Sequence, residues 1–307
     1  MDDERGAMAT GRPHDEETAG EGEADARSPT GVGVTALFIA ALRAAESVRP
    51  DSVFGDDPLA EAVAGEVDTA TARLWVDENG PTPLARGLHD YVGLRTRYFD
   101  DYLTGATGAG VRQVVVLGAG LDGRAHRLEL AGTTFFEVDA ADVLDYKQRV
   151  VAAHGLSTRM PVRPVAADLR DDDWSTALAA AGFDHGAPTA WLAEGLLFYL
   201  SPRSCENLIG TVTDLSAPGS ELAVEYPVGD MVAVLDDIDS GSATRAMIRA
   251  FLDAGPQRPP AAWFDDIGWQ VNAVSVADWA TTLGRTPPEW STSPDFTWWF
   301  VRARHEN

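Results

Sequence analysis

The sequence is poor in cysteine and lysine and has no long hydrophobic run. Its one cysteine, Cys205, excludes an intramolecular disulfide and a multi-cysteine metal site. Its one lysine, Lys147, stands against 23 arginines. No run approaches the length of about 18 apolar residues that suggests a membrane-spanning helix, and no basic start with an apolar run indicates a signal peptide. These absences predict a soluble, cytoplasmic protein.

Basic residues are also scarce relative to acidic ones. The chain has 48 acidic and 24 basic side chains and a net charge of -24, which repels phosphate backbones and anionic membranes. Nucleic-acid and membrane partners are therefore not expected. Residues 1–27 hold nine acidic and three basic residues and no aromatic one, so segment 1–29 is predicted to be a disordered acidic tail. The six histidines share no metal-ligand spacing, and no metal site is expected.

A glycine turn between two apolar runs is the most informative motif of the chain. Residues 114–117 are apolar and lead into Gly118, Gly120 and Gly123, as at the end of a buried parallel strand that is followed by a helix. A second apolar run ends at Asp139. An acidic residue at the tip of this second strand is placed to bind the two hydroxyls of a ribose. The pattern predicts a nucleoside-bearing cofactor.

The three glycines, spaced G-x-G-x-x-G, fit two different cofactors. In a dehydrogenase, the turn and the helix after it bind the pyrophosphate of a nicotinamide dinucleotide. In a methyltransferase, the same place takes the amino-acid part of S-adenosylmethionine, which has no phosphate. The glycines alone do not separate the two. For Asp139 itself, the alternative to ribose binding is that its carboxylate caps the next helix.

Five blocks of sequence distinguish between these cofactors. In chain order they are 95–101 (RTRYFDD), 120–128 (GLDGRAHRL), 137–147 (EVDAADVLDYK), 167–174 (ADLRDDDW) and 188–202 (PTAWLAEGLLFYLSP). In this order and spacing they resemble the leucine carboxyl methyltransferase family, above all its bacterial branch of S-adenosylmethionine-dependent methyltransferases, which includes polyketide O-methyltransferases. The resemblance spans residues 31–304. The chain departs from the family at Gly123, where Ser or Thr is usual, and at His126, where an aromatic residue is common.

The resemblance implies S-adenosylmethionine as the cofactor and suggests roles for several residues. It implies that Arg95 binds the carboxylate of the cofactor, with Arg97 as a neighbouring rival, and that Asp168 and Leu169 frame the adenine. Glu194 ends the fourth predicted strand and should face the site, since ligands in open α/β sheets bind beyond the carboxyl ends of the strands. It would hold the amino group of the cofactor or lie near its sulfonium. A solvent-facing Arg95 and a simple loop carboxylate at Asp168 are the alternatives.

The predicted fold is a single α/β domain of the class I methyltransferase (Rossmann-like) type. It has a seven-stranded, mostly parallel sheet, helices on both faces and an N-terminal helical lid. Strands are expected at 113–117, 133–138, 162–166, 189–194, 220–226, 270–275 and 297–303, and helices at 35–46, 58–75, 84–103 and 243–253, with a further helix capped by Ser201. Within domain 30–307 we expect a lid at 30–105, a cofactor-binding core at 106–227, an insertion forming a substrate wall at 228–262, and completion of the sheet at 263–307.

The expected function is S-adenosylmethionine-dependent O-methylation of a small organic acceptor in secondary metabolism. Methyl transfer from a sulfonium mainly needs alignment and a dry pocket. A carboxylate acceptor needs no base, whereas a phenol or alcohol would profit from one; Tyr199, Tyr226 and His89 are only weak candidates. The sequence leans toward a carboxylate. Two other functions stay open: an NAD(P)-dependent oxidoreductase with the same glycine turn, and a cofactor-binding protein without catalytic activity.

Overall fold

A seven-stranded sheet forms the centre of the protein. The computed structural model describes residues 33–67, 76–77, 80–171, 173–238 and 243–306. After a short antiparallel pair, Val76–Asp77 (β1) and Gly80–Pro81 (β2), the sheet strands are Gln113–Leu117 (β3), Thr134–Asp139 (β4), Val162–Ala166 (β5), Thr189–Ala193 (β6), Glu221–Gly229 (β7), Trp269–Ser275 (β8) and Phe296–His305 (β9). Their order is β5-β4-β3-β6-β7-β9-β8, and only β9 runs antiparallel to its neighbours. The predicted mostly parallel sheet is confirmed.

Helices alternate with these strands along the chain. They are Gly33–Ser47 (α1), Pro58–Glu66 (α2), Pro83–Gly108 (α3), Arg124–Arg127 (α4), Ala141–Ala153 (α5), Trp174–Ala180 (α6), Pro202–Asp214 (α7), Met231–Ile238 (α8), Ala243–Phe251 (α9), Pro260–Asp266 (α10) and Val276–Thr282 (α11). Single 3-10 turns form at Leu197–Tyr199 and Glu289–Thr292. No helix in this described part is both long and apolar enough to cross a bilayer.

The sheet is buried on both faces, because successive residues of each strand alternate between two apolar cores. Val114 and Val116 of β3 pack with α3 in one core, whereas Val115 and Leu117 pack with α6, α7 and α10 in the other. All five residues of β3 are buried. Edge strand β5 is more exposed and contains Pro164, a residue that edge strands tolerate. The continuous apolar runs of the central strands therefore follow from burial on both sides.

Several predicted boundaries shift in the structure. The capped helix is confirmed: the Ser201 hydroxyl accepts a hydrogen bond from the backbone N–H of Ser204 at 3.1 Å, and Pro202 opens α7. Strand β7 continues to Gly229, past the predicted end at residue 226, so the first residues of segment 228–262 belong to the sheet. The helix predicted at 58–75 is seen as Pro58–Glu66, and residues 68–75 lie outside the described residues, as does the acidic tail 1–29.

The only lysine of the chain lies inside the fold. Lys147 of α5 forms an ion pair with Glu137 of β4, with 2.8 Å between Nζ and Oε2. Each of the two side chains has 5% of its surface exposed. A buried pair of this kind is costly to break from one side only, because the remaining charge is left without a partner. The pair fixes α5 against the strand that ends at Asp139.

Candidate cofactor and acceptor site

A cavity of about 480 Å³ lies at the carboxyl ends of β3, β4 and β6. Ligands bind at this edge in open α/β sheets. Helices α1 and α3 contribute to its wall, together with α8 and α9. The structure brings all seven residues predicted to bind the cofactor to this one cavity: Arg95, Gly118, Gly120, Asp139, Asp168, Leu169 and Glu194.

The glycine turn follows β3 directly. Gly118 and Gly120 have φ angles of +65° and +49°, a left-handed conformation that glycine adopts readily and other residues rarely do. A Cβ atom on Gly118 would also come within 3.1 Å of Leu196 Cδ1. Gly123 has an ordinary φ of -96°, so the third glycine of the motif is not required by the backbone. Close packing still requires a glycine there, because a Cβ atom on Gly123 would collide with the carboxylate of Asp57.

A side chain of the protein already binds the N-terminus of the helix that follows the turn. Helix α4 has only four residues, and the backbone N–H of Arg124 donates to Asp122 Oδ1 at 2.7 Å. A pyrophosphate bound there would meet this carboxylate instead of free N–H groups. The geometry disfavours a dinucleotide and is compatible with a phosphate-free cofactor.

Asp139 lies at the end of β4, beside the glycine turn. Its Oδ2 accepts the backbone N–H of Gly120 at 2.6 Å, and its Oδ1 accepts that of Ala140 at 2.7 Å. Burial raises the pKa of Asp139, and these two hydrogen bonds oppose that rise. A carboxylate oxygen has two lone pairs, so each oxygen keeps one for a further donor. Helix α5 has no side-chain cap, so the carboxylate does not serve as its N-cap.

Asp168 and Leu169 follow β5 on the same rim of the cavity. The Asp168 carboxylate accepts hydrogen bonds from the backbone N–H and from Nε of Arg170, both at 2.9 Å. The hydrogen bond with Arg170 lowers the pKa of Asp168. Nε of Arg170 also lies 3.1 Å from Asp168 Oδ2, and Nη2 donates to the same oxygen, so each carboxylate oxygen already meets two donors, although the side chain is 39% exposed.

A buried group of charges closes the inner end of the cavity. Arg95 Nε lies 2.8 Å from Glu194 Oε1, and Arg124 Nη1 lies 2.6 Å from Glu194 Oε2. Burial alone would raise the pKa of Glu194, but Arg124 and Arg95 outweigh it and hold the pKa below its ordinary value. Arg97, the alternative candidate for binding the carboxylate of the cofactor, instead pairs with Asp101, and both side chains are more exposed. Of these two candidates for the carboxylate of the cofactor, Arg95 lines the cavity and Arg97 does not.

Sequence reasoning missed the carboxylate of Glu225. This residue of β7 has no exposed side-chain surface, and its Oε1 accepts hydrogen bonds from Arg95 Nη1 at 3.0 Å and from the backbone N–H of Gly195 at 2.8 Å. Its Oε2 accepts the indole N–H of Trp298 at 3.2 Å and the hydroxyl of Tyr91. One feature of the sequence could have identified it: Glu225 is an acidic residue inside a predicted buried strand. A buried carboxylate needs hydrogen-bond donors around it.

The candidate bases lie in different places. Tyr199 lines the cavity, where burial raises its pKa and Thr35 hydrogen-bonds to its side chain. Tyr226 lies on the opposite face of the sheet from Glu225, since neighbouring residues of a strand alternate, and its hydroxyl donates to Arg258 O at 3.1 Å. His89 lies near Glu46 and Asp90 instead of in the cavity wall. Tyr199 alone of the three faces the cavity.

The other end of the cavity is apolar. Its wall comes from four parts of the chain: Phe38 and Ile39 of α1, Leu84 and Leu88 of α3, Met231, Val234, Leu235 and Ile238 of α8, and Phe296 and Trp298 of β9. We call this part the acceptor chamber. No histidine or lysine occurs among the described residues that line the cavity. The chamber thus offers apolar contact and few groups that could exchange a proton.

Comparisons with known proteins agree with this geometry. A family model described as leucine carboxyl methyltransferase matches residues 36–213. A protein of Mycobacterium avium (strain 104), named "Putative S-adenosyl-L-methionine-dependent methyltransferase", is 42% identical over 278 residues, which cover 84% of this chain and 86% of that protein. A protein of Rhodococcus jostii (strain RHA1) with a name of the same kind is 42% identical over 271 residues, covering 84% and 89%.

A solved structure shares the fold. The crystal structure described as a putative methyltransferase from Thermobifida fusca superposes with a TM-score of 0.54 at 20% identity, covering 94% of this chain and 100% of that one. At this identity the likeness concerns the fold alone. The family match covers more than half of the chain and the two relatives exceed 40% identity. The chain therefore belongs to the leucine carboxyl methyltransferase family.

Proposed function

We propose that this protein transfers the methyl group of S-adenosylmethionine to an oxygen atom, preferably a carboxylate oxygen, of a small and largely apolar organic acceptor. One observation carries the proposal: a single cavity joins a polar end, suited to a zwitterionic nucleoside, to an apolar acceptor chamber. The methyl donor is supported by the family and by the names of the bacterial relatives. We further propose that the acceptor belongs to secondary metabolism and that the protein acts in the cytoplasm.

The polar end fits each part of S-adenosylmethionine. Asp139 keeps one lone pair on each oxygen for the two ribose hydroxyls. Arg95 pairs with carboxylates through Nε and Nη1, and its remaining nitrogen, Nη2, would donate to the carboxylate of the cofactor. Glu194 would offer the negative charge that the ammonium group needs, and Asp168 and Leu169, which line the same cavity, would frame the adenine.

The reaction fits a site without a dedicated base. The bound cofactor would supply a methyl group that is already attached to a good leaving group. The protein would then align an oxygen atom with that methyl group and exclude water. A carboxylic acid, with a pKa of about 4, is ionised at neutral pH before it binds. Because burial raises the pKa of Tyr199, its phenol holds its proton more tightly and is a poor base.

The proposed domain roles follow the walls of the cavity. We assign segment 30–105 as a lid, since α1 and α3 both contribute residues to the cavity, and residues 106–227 as the cofactor-binding core. Segment 228–262 is assigned as the acceptor wall, because α8 contributes four side chains to the acceptor chamber. Residues 263–307 would complete the sheet through β8 and β9.

Ligand-dependent melting separates this function from an oxidoreductase. S-adenosylhomocysteine should raise the melting temperature of the protein, and NADH should not. A shift with NADH alone would contradict the proposal. Turnover is tested with radiolabelled methyl donor against two matched panels, apolar carboxylic acids and the corresponding phenols. Labelling of the acids supports carboxyl methylation, and labelling of the phenols alone contradicts it. Cofactor binding without turnover of either panel would favour the binding protein that lacks catalysis.

A further inference from the structure

Glu225 stands behind the wall of the cavity. It is not one of the lining residues, yet its four hydrogen-bond partners, Tyr91, Arg95, Gly195 and Trp298, all line the cavity. Each carboxylate oxygen receives two donors, so all four lone pairs are used. A fully occupied carboxylate without contact to the ligand does not act as a base. Its effect must run through the groups that it holds.

The most consequential of these groups is Arg95. Its guanidinium lies between Glu194 Oε1, at 2.8 Å from Nε, and Glu225 Oε1, at 3.0 Å from Nη1. An arginine and a carboxylate prefer a paired, bidentate arrangement. Glu194 Oε2 already pairs with Arg124 Nη1 at 2.6 Å. Without Glu225, Arg95 would turn toward Glu194 and compete with Arg124 for this second oxygen. That rearrangement would consume the two groups that the amino acid of the cofactor needs.

Gly195 shows that this arrangement depends on close approach. Its φ angle is +66°, and a Cβ atom there would lie 3.2 Å from Arg95 Nη1. Its backbone N–H donates to the same Glu225 oxygen that binds Arg95. Glu225 therefore fixes both the guanidinium and the turn that directly follows Glu194.

We propose that Glu225 is a positioning residue that limits Arg95 to a single contact with Glu194, so that Arg95 Nη2 and Glu194 remain available to the carboxylate and ammonium groups of the methyl donor. The inference rests on the proposed function, because it assumes that this end of the cavity binds the amino-acid part of S-adenosylmethionine. It gives Glu225 no contact with the cofactor. Through Tyr91 and Trp298 the same carboxylate also braces the acceptor chamber.

The test compares two ligands that differ only in the part that Glu225 is inferred to control. S-adenosylhomocysteine carries the amino acid, whereas methylthioadenosine retains the adenine and ribose but lacks it. For Glu225→Gln we expect the affinity for S-adenosylhomocysteine to fall about tenfold or more, measured by calorimetry. The affinity for methylthioadenosine, measured by ligand-detected NMR, should stay at the wild-type value. Glu221→Gln, at the other end of the same strand, is the matched control and should change neither affinity.

The outcomes separate the two hypotheses. If Glu225→Gln loses affinity equally for both ligands, the substitution has damaged the site in general. If its affinity for S-adenosylhomocysteine is unchanged or tighter, Glu225 does not position the groups that bind the amino acid. Either result overturns the inference and leaves the methyltransferase function standing. If the wild type fails to bind S-adenosylhomocysteine, both fall.

A comparison of two further variants covers the case in which the single Glu225→Gln variant does not fold. Arg95→Gln and the pair Arg95→Gln/Glu225→Gln should bind S-adenosylhomocysteine equally, since Glu225 acts through an arginine that both variants lack. An additional loss in the double variant would contradict the inference.

Discussion

Replacement of Asp139 by alanine tests the ribose contact directly. In the structure each oxygen of this carboxylate already accepts one backbone N–H, from Gly120 at 2.6 Å and from Ala140 at 2.7 Å. One acceptor position therefore remains on each oxygen, which matches the two hydroxyls of a ribose. The substitution removes both positions, together with the two hydrogen bonds to the backbone of Gly120 and Ala140.

The expected loss follows from the charge of the acceptor. Hydrogen bonds to charged groups contribute about 1.5–3 kcal/mol, and a tenfold change in affinity corresponds to about 1.4 kcal/mol. The dissociation constant for S-adenosylhomocysteine should thus rise about ten- to hundredfold. Burial raises the pKa of Asp139. If protonation limits its action, wild-type binding should weaken in acid, whereas the alanine variant should lose that part of the pH dependence.

Calorimetric titration with S-adenosylhomocysteine measures the effect, and the melting curve of the ligand-free variant shows whether it is folded. Asp145→Ala is the matched control, because this exposed aspartate lies on α5 and outside the cavity wall. Its affinity should equal that of the wild type. A folded Asp139→Ala variant with wild-type affinity would refute the assignment of Asp139 to the ribose.

Three further predictions concern the turn, the reaction and stability. Gly118→Val should abolish stabilisation by S-adenosylhomocysteine, because valine is strained at φ +65° and its Cβ would lie 3.1 Å from Leu196. Gly110→Val, with φ +109° and nothing within 4 Å, controls for strain alone, and a Gly118 variant that binds normally would contradict the role of the turn. With a carboxylic acid acceptor, the rate of the chemical step should be flat from about pH 6 to 9, since the substrate ionises near pH 4; a single-proton rise between about pH 6 and 8 would indicate an enzyme base instead. Burial raises the pKa values of Asp122 and Glu194, but their arginine partners outweigh it and lower both. Their contribution to stability is therefore present above pH values of about 4 and is lost as the pH falls through the lowered values. Denaturant unfolding at neutral and acidic pH should show this decline, and equal stability at both would contradict it.

The strands and the turn were predictable because their causes are local in the chain. A buried parallel strand needs a continuous apolar run, and β3 and β6 show such runs and are fully buried. The left-handed backbone at Gly118 and Gly120 can be read from the residue type itself. Asp139 was identifiable because a carboxylate at the tip of an apolar strand needs polar partners.

The charged group behind the site was not predictable in the same way. Glu225 and Arg95 are 130 positions apart, and the packing of α3 against one face of the sheet brings them together. The family resemblance favoured Arg95 and left Arg97 as an alternative, half a helical turn away and only partly buried. The position of Tyr226 was not predictable for a related reason. Which face of the sheet a residue of β7 occupies depends on the register of the strand, and the residue type does not indicate it.

The burial of Lys147 has a consequence for chemical labelling. Because it is the only lysine in the sequence and its side chain is paired with Glu137, the folded domain presents no exposed lysine amine to acylating reagents. Acylation of Lys147 requires α5 to separate from β4, so its rate would measure the opening of this part of the fold. The protein thus carries a built-in reporter of local unfolding, only a few residues from the carboxylate assigned to the ribose.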